Sequence, residues 1–160
     1  MSLTPAIDWQ LRPFDALTTR QLHDLLQLRS AVFVVEQACA FQDIDGADLQ
    51  ALHLIGTQDG QLLAYARCFA PGIKFAEASI GRVVTDPAQR GTGLGHALIR
   101  QALQAVAGQW GEHPVRIGAQ ARLQAFYAGH GFVDVNRPYV EDGIDHIEMV
   151  WDPLNSGAIG

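Results

Sequence analysis

Between Thr18 and Gln37 the apolar positions recur at the spacing of one helical face: Leu22, Leu25, Leu26, Val32 and Phe33, with Arg29 in the same stripe. Thr18 or Thr19 is placed to cap that helix. Ahead of it, "WQLRPF" alternates as a first strand. Behind it, "ACAFQDIDGADLQ" loses any period and collects acids and turn formers, which predicts an ordered loop. "ALHLIGTQDGQLLAYARCFA" carries two β-type runs around Asp59-Gly60, the signature of a tight hairpin. "EASIGRVVTDP" adds a third strand that stops at Pro87.

A second helix opens near Leu94, with Leu94, Leu98, Ala102, Ala105 and Val106 on one stripe. "PVRIGAQ" is a short strand, and "ARLQAFYAGHGF" is an amphipathic helix closed by Gly131. "HIEMVWD" closes as a strand before "PLNSGAIG". The order is β-α-β-β-β-α-β-α-β, without repeats or a dividing linker. It predicts one α/β domain over residues 1–153 and a flexible tail over 154–160. Three consecutive strands before the second crossover indicate a mixed sheet rather than a doubly wound one.

Composition narrows the function classes. The chain has 160 residues, 48% hydrophobic and 18% charged, with a formal charge of −6. Its basic residues, ten arginines and the single Lys74, form no strip, which argues against nucleic acid as a partner. An anionic ligand would need local arginines and backbone amides. The opening "MSLTPAIDWQLRPF" does not read as a secretory segment, and no apolar run approaches membrane-spanning length. The expectation is a cytoplasmic chain, no membrane partner, and reduced Cys39 and Cys68.

The densest chemical signal is "VVTDPAQRGTGLGHALIRQAL". Glycine weakens strands and helices alike, so Gly91, Gly93 and Gly95 just before a helix need a positive reason. A P-loop is excluded because no Gly-Lys-Ser/Thr follows. A dinucleotide fingerprint fits poorly: its third glycine position is His96, and Val115-Arg116 stand where an acid should hold a ribose. The remaining form, R-x-x-G-x-G opening an amphipathic helix, lets successive amides converge on a pyrophosphate, with Arg90 and Arg82 supplying charge.

"VTDPAQRGTGLG", of the form V-x-D-P-x-x-R-G-x-G-x-G, and the later "FYAGHGF" resemble the GCN5-related N-acetyltransferases; Thr85 stands where that family carries valine. The segments "LRSAVFVVEQACAFQDIDGADLQALH", "SIGRVVTDPAQRG" and "YVEDGIDHIEM" are similar to its ElaA-like branch. The resemblance implies a mostly antiparallel sheet flanked by helices, with a splayed parallel strand pair forming an acyl-CoA cleft. It implies acetyl-CoA as co-substrate without a metal, and it allows a homodimer.

Carried onto this chain, Val83, Val84 and Thr85 would pair with the pantetheine, with Gln120 on the facing strand. Arg90, Gly91, Thr92, Gly93, Leu94, Gly95 and His96 would hold the pyrophosphate. Tyr127 would protonate the departing thiolate; read without the family, Leu123, Phe126 and Tyr127 are an ordinary apolar stripe. Acceptor-side candidates are Glu36, His53, Glu77, Glu141, Asp142 and His146, with Glu36 and His146 ranked as pocket-lining. Glu77 precedes Arg90 by thirteen residues (90 − 77 = 13), where some protein-acetylating relatives carry a glutamate base. No base is assigned, and a water chain is an alternative.

"DIDGAD" lacks the spacing of a calcium loop, since Gly46 comes fourth and Leu54 twelfth from Asp43, and no histidine or cysteine pair has zinc spacing. It suits a capped turn or an acidic rim for a cationic acceptor. The functional expectation is direct acyl transfer, acetyl first, to a primary amine of a small molecule ahead of a protein amine. The rival is an acetyl-CoA-binding sensor or interaction module without turnover.

Overall fold

The computed structural model describes residues 6–154; the remainder of the expected tail, residues 155–160, lies outside them, as do residues 1–5. Strand β1 (Asp8–Pro13) leads into helix α1 (Thr19–Arg29). Thr18 opens that helix with a reciprocal box: its hydroxyl accepts from the Gln21 amide at 3.0 Å, and its own amide donates to the Gln21 side chain at 2.9 Å. The apolar period predicts one helix to Gln37. Instead the chain widens after Arg29 into a π-helix over Ser30–Glu36, with Gln37 and Cys39 amides reaching back to Val32 and Val34. The β-branched Val32, Val34 and Val35 lie in this stretch, residue types with slightly lower propensity for the ordinary helix.

Strands β2 (Leu52–Gln58) and β3 (Gln61–Phe69) form the predicted hairpin, with Asp59 and Gly60 both left-handed at φ 52° and 77°. Strand β4 (Ala78–Thr85), helix α2 (Leu94–Trp110) and strand β5 (Val115–Gln120) follow. The third predicted helix is shorter than its pattern. A 3-10 turn over Ala121–Leu123 runs into α3 (Gln124–Ala128), and Gly131 at φ 96° turns the chain away.

Two strands close the fold, β6 (Phe132–Glu141) and β7 (Ile144–Trp151), where the sequence pattern shows only the second. In β6 the alternation is broken by left-handed Asn136 and a register shift between Asp134 and Pro138, so "NRP" reads as a turn. The sheet therefore has seven strands in the order β1-β2-β3-β4-β5-β7-β6, antiparallel throughout except for β4 beside β5. This is the mixed, mostly antiparallel sheet expected.

Helix α2 buries Leu94, Leu98, Ala102 and Val106 against Ala64, Ala66 and Cys68 of β3. On the opposite sheet face Leu25, Leu28 and Val32 pack on Tyr65, Ile55 and Val84. Alternation in β5 and β7 buries Val115, Ile117, Ile147 and Met149 and leaves Arg116, Gly118, His146 and Glu148 on the other face. Both cysteines are free thiols, and burial pushes Cys68 up to about 12, so it packs rather than reacts. Among the described residues no helix is long and apolar enough to cross a membrane.

Candidate functional site

Strands β4 and β5 are joined only at Ala78–Val115 and Ser79–Arg116, then part. The cause lies in β4, where Arg82 takes a left-handed φ of 50° beside a register shift against β3. That bulge bends β4 away from its parallel neighbour. Val84 and Thr85 remain paired with Tyr65 and Ala64 of β3, so the other edge of β4 faces the gap. The gap is a cleft of about 760 Å³, with Val83, Val84 and Thr85 on one wall and Gln120 on the other.

Gly91 and Gly93 sit at φ 82° and 85°, where side-chain-bearing residues are strained, and a Cβ on either meets nothing within 4 Å. Glycine is required here by backbone direction, not by packing. Gly93 provides no side-chain cap, so α2 presents its first amides, from Leu94, Gly95 and His96, at its partially positive end. Arg90 and Gly95 line the cleft. Leu94 is buried in the core, Thr92 Oγ1 donates to the Gln89 carbonyl at 2.6 Å, and His96 Nδ1 lies 2.8 Å from His130 Nε2. None of these three side chains lines the cleft; the Thr92 amide donates to the Gln89 carbonyl at 3.3 Å, which leaves the first amides of α2 as the loop's free donors.

Tyr127 reaches the same cleft from α3. Its ring is held edge-on between Phe126 and Phe132, at centroid distances of 5.1 and 5.7 Å. Burial pushes its hydroxyl up to about 12, so it stays protonated through the neutral range. The packed apolar stripe is what the structure shows, and the same residue lines the cleft, where the proton-donor role expected of it would be exercised.

The acceptor-side candidates separate. Glu36, Glu141, Asp142 and His146 line the cleft; His53 and Glu77 do not. His53 is fully buried, 2.6 Å from Tyr65 Oη through Nδ1 and 2.9 Å from the Asp48 carbonyl through Nε2. Both ring nitrogens are engaged, and burial, with Arg29 and Arg67 nearby, favours the neutral ring. Glu77 flanks the joined end of β4 and β5, clamped by Arg116 at 3.0–3.1 Å, which holds its carboxyl below the ordinary range. These two residues are structural, and the acceptor role expected of them is withdrawn.

"DIDGAD" also faces inward. Arg29 donates to Asp43 at 3.0 Å and to Asp48 at 2.8 Å; Arg67 binds Asp45 and Asp48, and Arg82 binds Asp43. Three arginines neutralise three aspartates, and the Asp45 carboxylate accepts from the Ala47 amide at 3.1 Å, so the loop is the capped turn expected and not the acidic rim, and Arg82 is committed to it rather than to a diphosphate. Arg29 was the legible clue: a charge inside an apolar stripe has to meet a buried counter-charge. Nothing in the sequence pattern marked Arg67 as its companion.

Glu36 closes on Arg90 in a two-pronged ion pair across the cleft mouth. Gln37 accepts from Gln120 at 3.3 Å, and Cys39 Sγ donates to the Asp142 carbonyl at 3.3 Å, tying the π-helix and its loop to the far wall. His146 Nδ1 lies 2.8 Å from the Ile144 carbonyl. A carbonyl only accepts, so Nδ1 carries the hydrogen and the neutral ring keeps a lone pair on Nε2. The ring stacks on Tyr139 at 5.1 Å. Among the described residues, no group of three or more His, Cys, Asp or Glu side chains is arranged to hold a metal ion.

The same architecture occurs in known proteins. Residues 22–153 match the acetyltransferase (GNAT) domain family. The chain is 45% identical over 152 residues to the ElaA protein of Escherichia coli, covering 94% of this chain and 99% of that one. Among solved structures, an acyl-CoA N-acyltransferase from Pseudomonas aeruginosa superposes with a TM-score of 0.86 at 48% identity, covering 91% and 99% of the two chains. E. coli ElaA superposes at 0.84 and 43% identity, with the same coverage. With its splayed parallel pair and uncapped α2, the chain belongs to the GNAT acetyltransferase family, among the homologues of ElaA.

Proposed function

We propose that this chain transfers an acyl group, acetyl first, from its coenzyme A thioester directly to a primary amine of a small molecule. The observation that carries the reading is one cleft with three suitable parts. It has an uncapped helix start beside Gly95, an open strand edge at residues 83–85, and Tyr127 with His146 on its walls. Amides of Leu94, Gly95 and His96 hold the diphosphate, and the free edge of β4 aligns the pantetheine as an added strand. An amide of that edge polarises the thioester carbonyl.

The chemistry balances on two side chains. The amine nitrogen adds to the thioester carbonyl, and the carbon–sulfur bond breaks as the carbon–nitrogen bond is completed. His146 Nε2 takes the proton from nitrogen, and Tyr127 donates its hydroxyl hydrogen to the departing sulfur. Exchange through water resets both groups. A thiol is ordinarily more acidic than Tyr127, near about 8.5. The hydroxyl therefore contributes mainly a hydrogen bond to the forming thiolate. Tyr127→Phe lowers kcat by about 10- to 100-fold with little change in KM. Amine-dependent thiol release measures this. Coenzyme A binding without release on any amine, unaltered by Tyr127→Phe, identifies a sensor instead.

Arg90 cannot engage both Glu36 and a diphosphate through the same guanidinium edge. Exposed pairs of this kind are weak, so the anion displaces the carboxylate at small cost. Glu36→Gln removes the competition and tightens coenzyme A binding by about two- to fivefold. Calorimetry reads it directly, and weaker binding contradicts the competition.

A further inference from the structure

A second concavity of about 360 Å³ adjoins the cleft and is lined from β3 and β4 as well as from β5, β6 and β7. Asp45, Arg82 and Glu141 line both, so the two meet there. Gly118 permits the second one's form: a Cβ there would lie 2.1 Å from Tyr139 Oη, so Tyr139 reaches over β5 only because residue 118 has no side chain. Phe69, Phe75 and Lys74 stand among the other lining residues.

The charges here divide into committed and free. Arg67 and Arg82 hold the buried aspartates, and Arg116 is shared between Glu77 and Glu148. Among the described charged residues that line this concavity, two have no ion pair: Lys74, whose ammonium lies 5.4 Å from the Phe69 ring and acts only at longer range on Asp45, and Glu141, at the junction. Burial, with Glu141 and Glu148 nearby, pushes the Tyr139 hydroxyl up to about 12, and Glu141 is the unpaired acid where the two concavities meet. Arg67 adds an independent sign. It is 3% exposed, it lines this concavity, and its Nε has no hydrogen-bond partner. An unpaired buried donor is costly, and it leaves the guanidinium beside this concavity only partly satisfied by its aspartates.

We infer that this concavity is the acceptor's carboxylate pocket: the acceptor is a small amino carboxylate, its carboxylate beside Lys74 and Arg67 and its amine at the Glu141 junction facing the thioester. The assignment rests on the acyl-transfer reading above and deepens it. A simple alkylamine leaves the cationic end unused, and a polyamine brings a second ammonium against Lys74.

Matched pairs test it: free amino acids against the amines formed by their decarboxylation, assayed by thiol release from acetyl-CoA. The amino acid is preferred in kcat/KM by at least about tenfold. Lys74→Glu raises its KM by a similar factor and leaves the KM for acetyl-CoA unchanged; circular dichroism checks the fold. Turnover of the amines at equal or better efficiency, or a KM indifferent to Lys74→Glu, overturns the pocket and leaves acyl transfer standing. A second arm titrates amino acids into protein saturated with coenzyme A by calorimetry. Lys74-dependent binding without any turnover upholds the pocket and overturns acyl transfer; neither binding nor turnover overturns both.

Discussion

Gly95→Asp abolishes coenzyme A binding without unfolding the protein. Gly95 is the second residue of α2 and faces the cleft. A Cβ there meets only the edge of the Phe126 ring at 3.6 Å, an ordinary contact, so aspartate fits. Within the helix, replacing glycine recovers backbone entropy, and an acid in the first turn favours the partially positive end by about 0.3–1 kcal/mol. The melting temperature is therefore unchanged or raised. The same carboxylate occupies the place of the diphosphate and repels it, which weakens coenzyme A binding by at least about 100-fold. Opposite movements of stability and affinity separate this account from a general folding defect. A Kd within about threefold of the parent moves the anion site elsewhere.

Arg29→Met carries the largest expected effect on stability. Arg29 is fully buried and donates to Asp43, to the Asp43 carbonyl and to Asp48 at 2.7–3.0 Å. Methionine fills much of the stem's space but leaves two nearly buried carboxylates with one arginine each, Asp43 on Arg82 and Asp48 on Arg67, and one of them already has an unpartnered Oδ2. Breaking one side of such a network costs about 3–5 kcal/mol. For a chain of this length that is a fall of roughly 10 °C in melting temperature. The parent protein shows the same network in its pH dependence. Burial opposes ionisation of Asp45, yet Arg67, Arg82 and Lys74 outweigh it and hold the carboxyl at about 2. Its stabilising share is complete above the unfolded carboxyl's value near about 3.9 and is lost as pH falls toward about 2. Melting curves between pH 6 and pH 2.5 register that loss. An Arg29→Met protein as stable as the parent contradicts the network.

The cleft was legible because its parts are local in sequence. The glycine turn, the Val83–Thr85 run and the Tyr127 segment each carry their own spacing, and the structure brings them to one place. The acceptor side was harder to read because its logic is pairwise and long-range. Arg29 and Asp48 stand 19 residues apart, Arg90 and Glu36 stand 54 apart, and periodicity does not join such partners. His53 and Glu77 showed the limit of residue type as a guide: each has suitable acid–base chemistry, and each is engaged by buried or basic neighbours. Strand β6 is hidden in the sequence pattern because its break at Asn136 resembles a turn. The Ser30–Glu36 winding has no mark in the apolar period, which continues from Leu22 through Val32 and Phe33 as one helical face.

An amide-resolved NMR titration of the ¹⁵N-labelled protein with coenzyme A tests the central claim directly. The account predicts that the largest shifts fall on the amides of residues 83–85 and 91–96, with the Arg90 side chain moving as it leaves Glu36. Saturable binding whose shifts avoid both stretches, or a verified folded protein that shows no shifts at all, contradicts it.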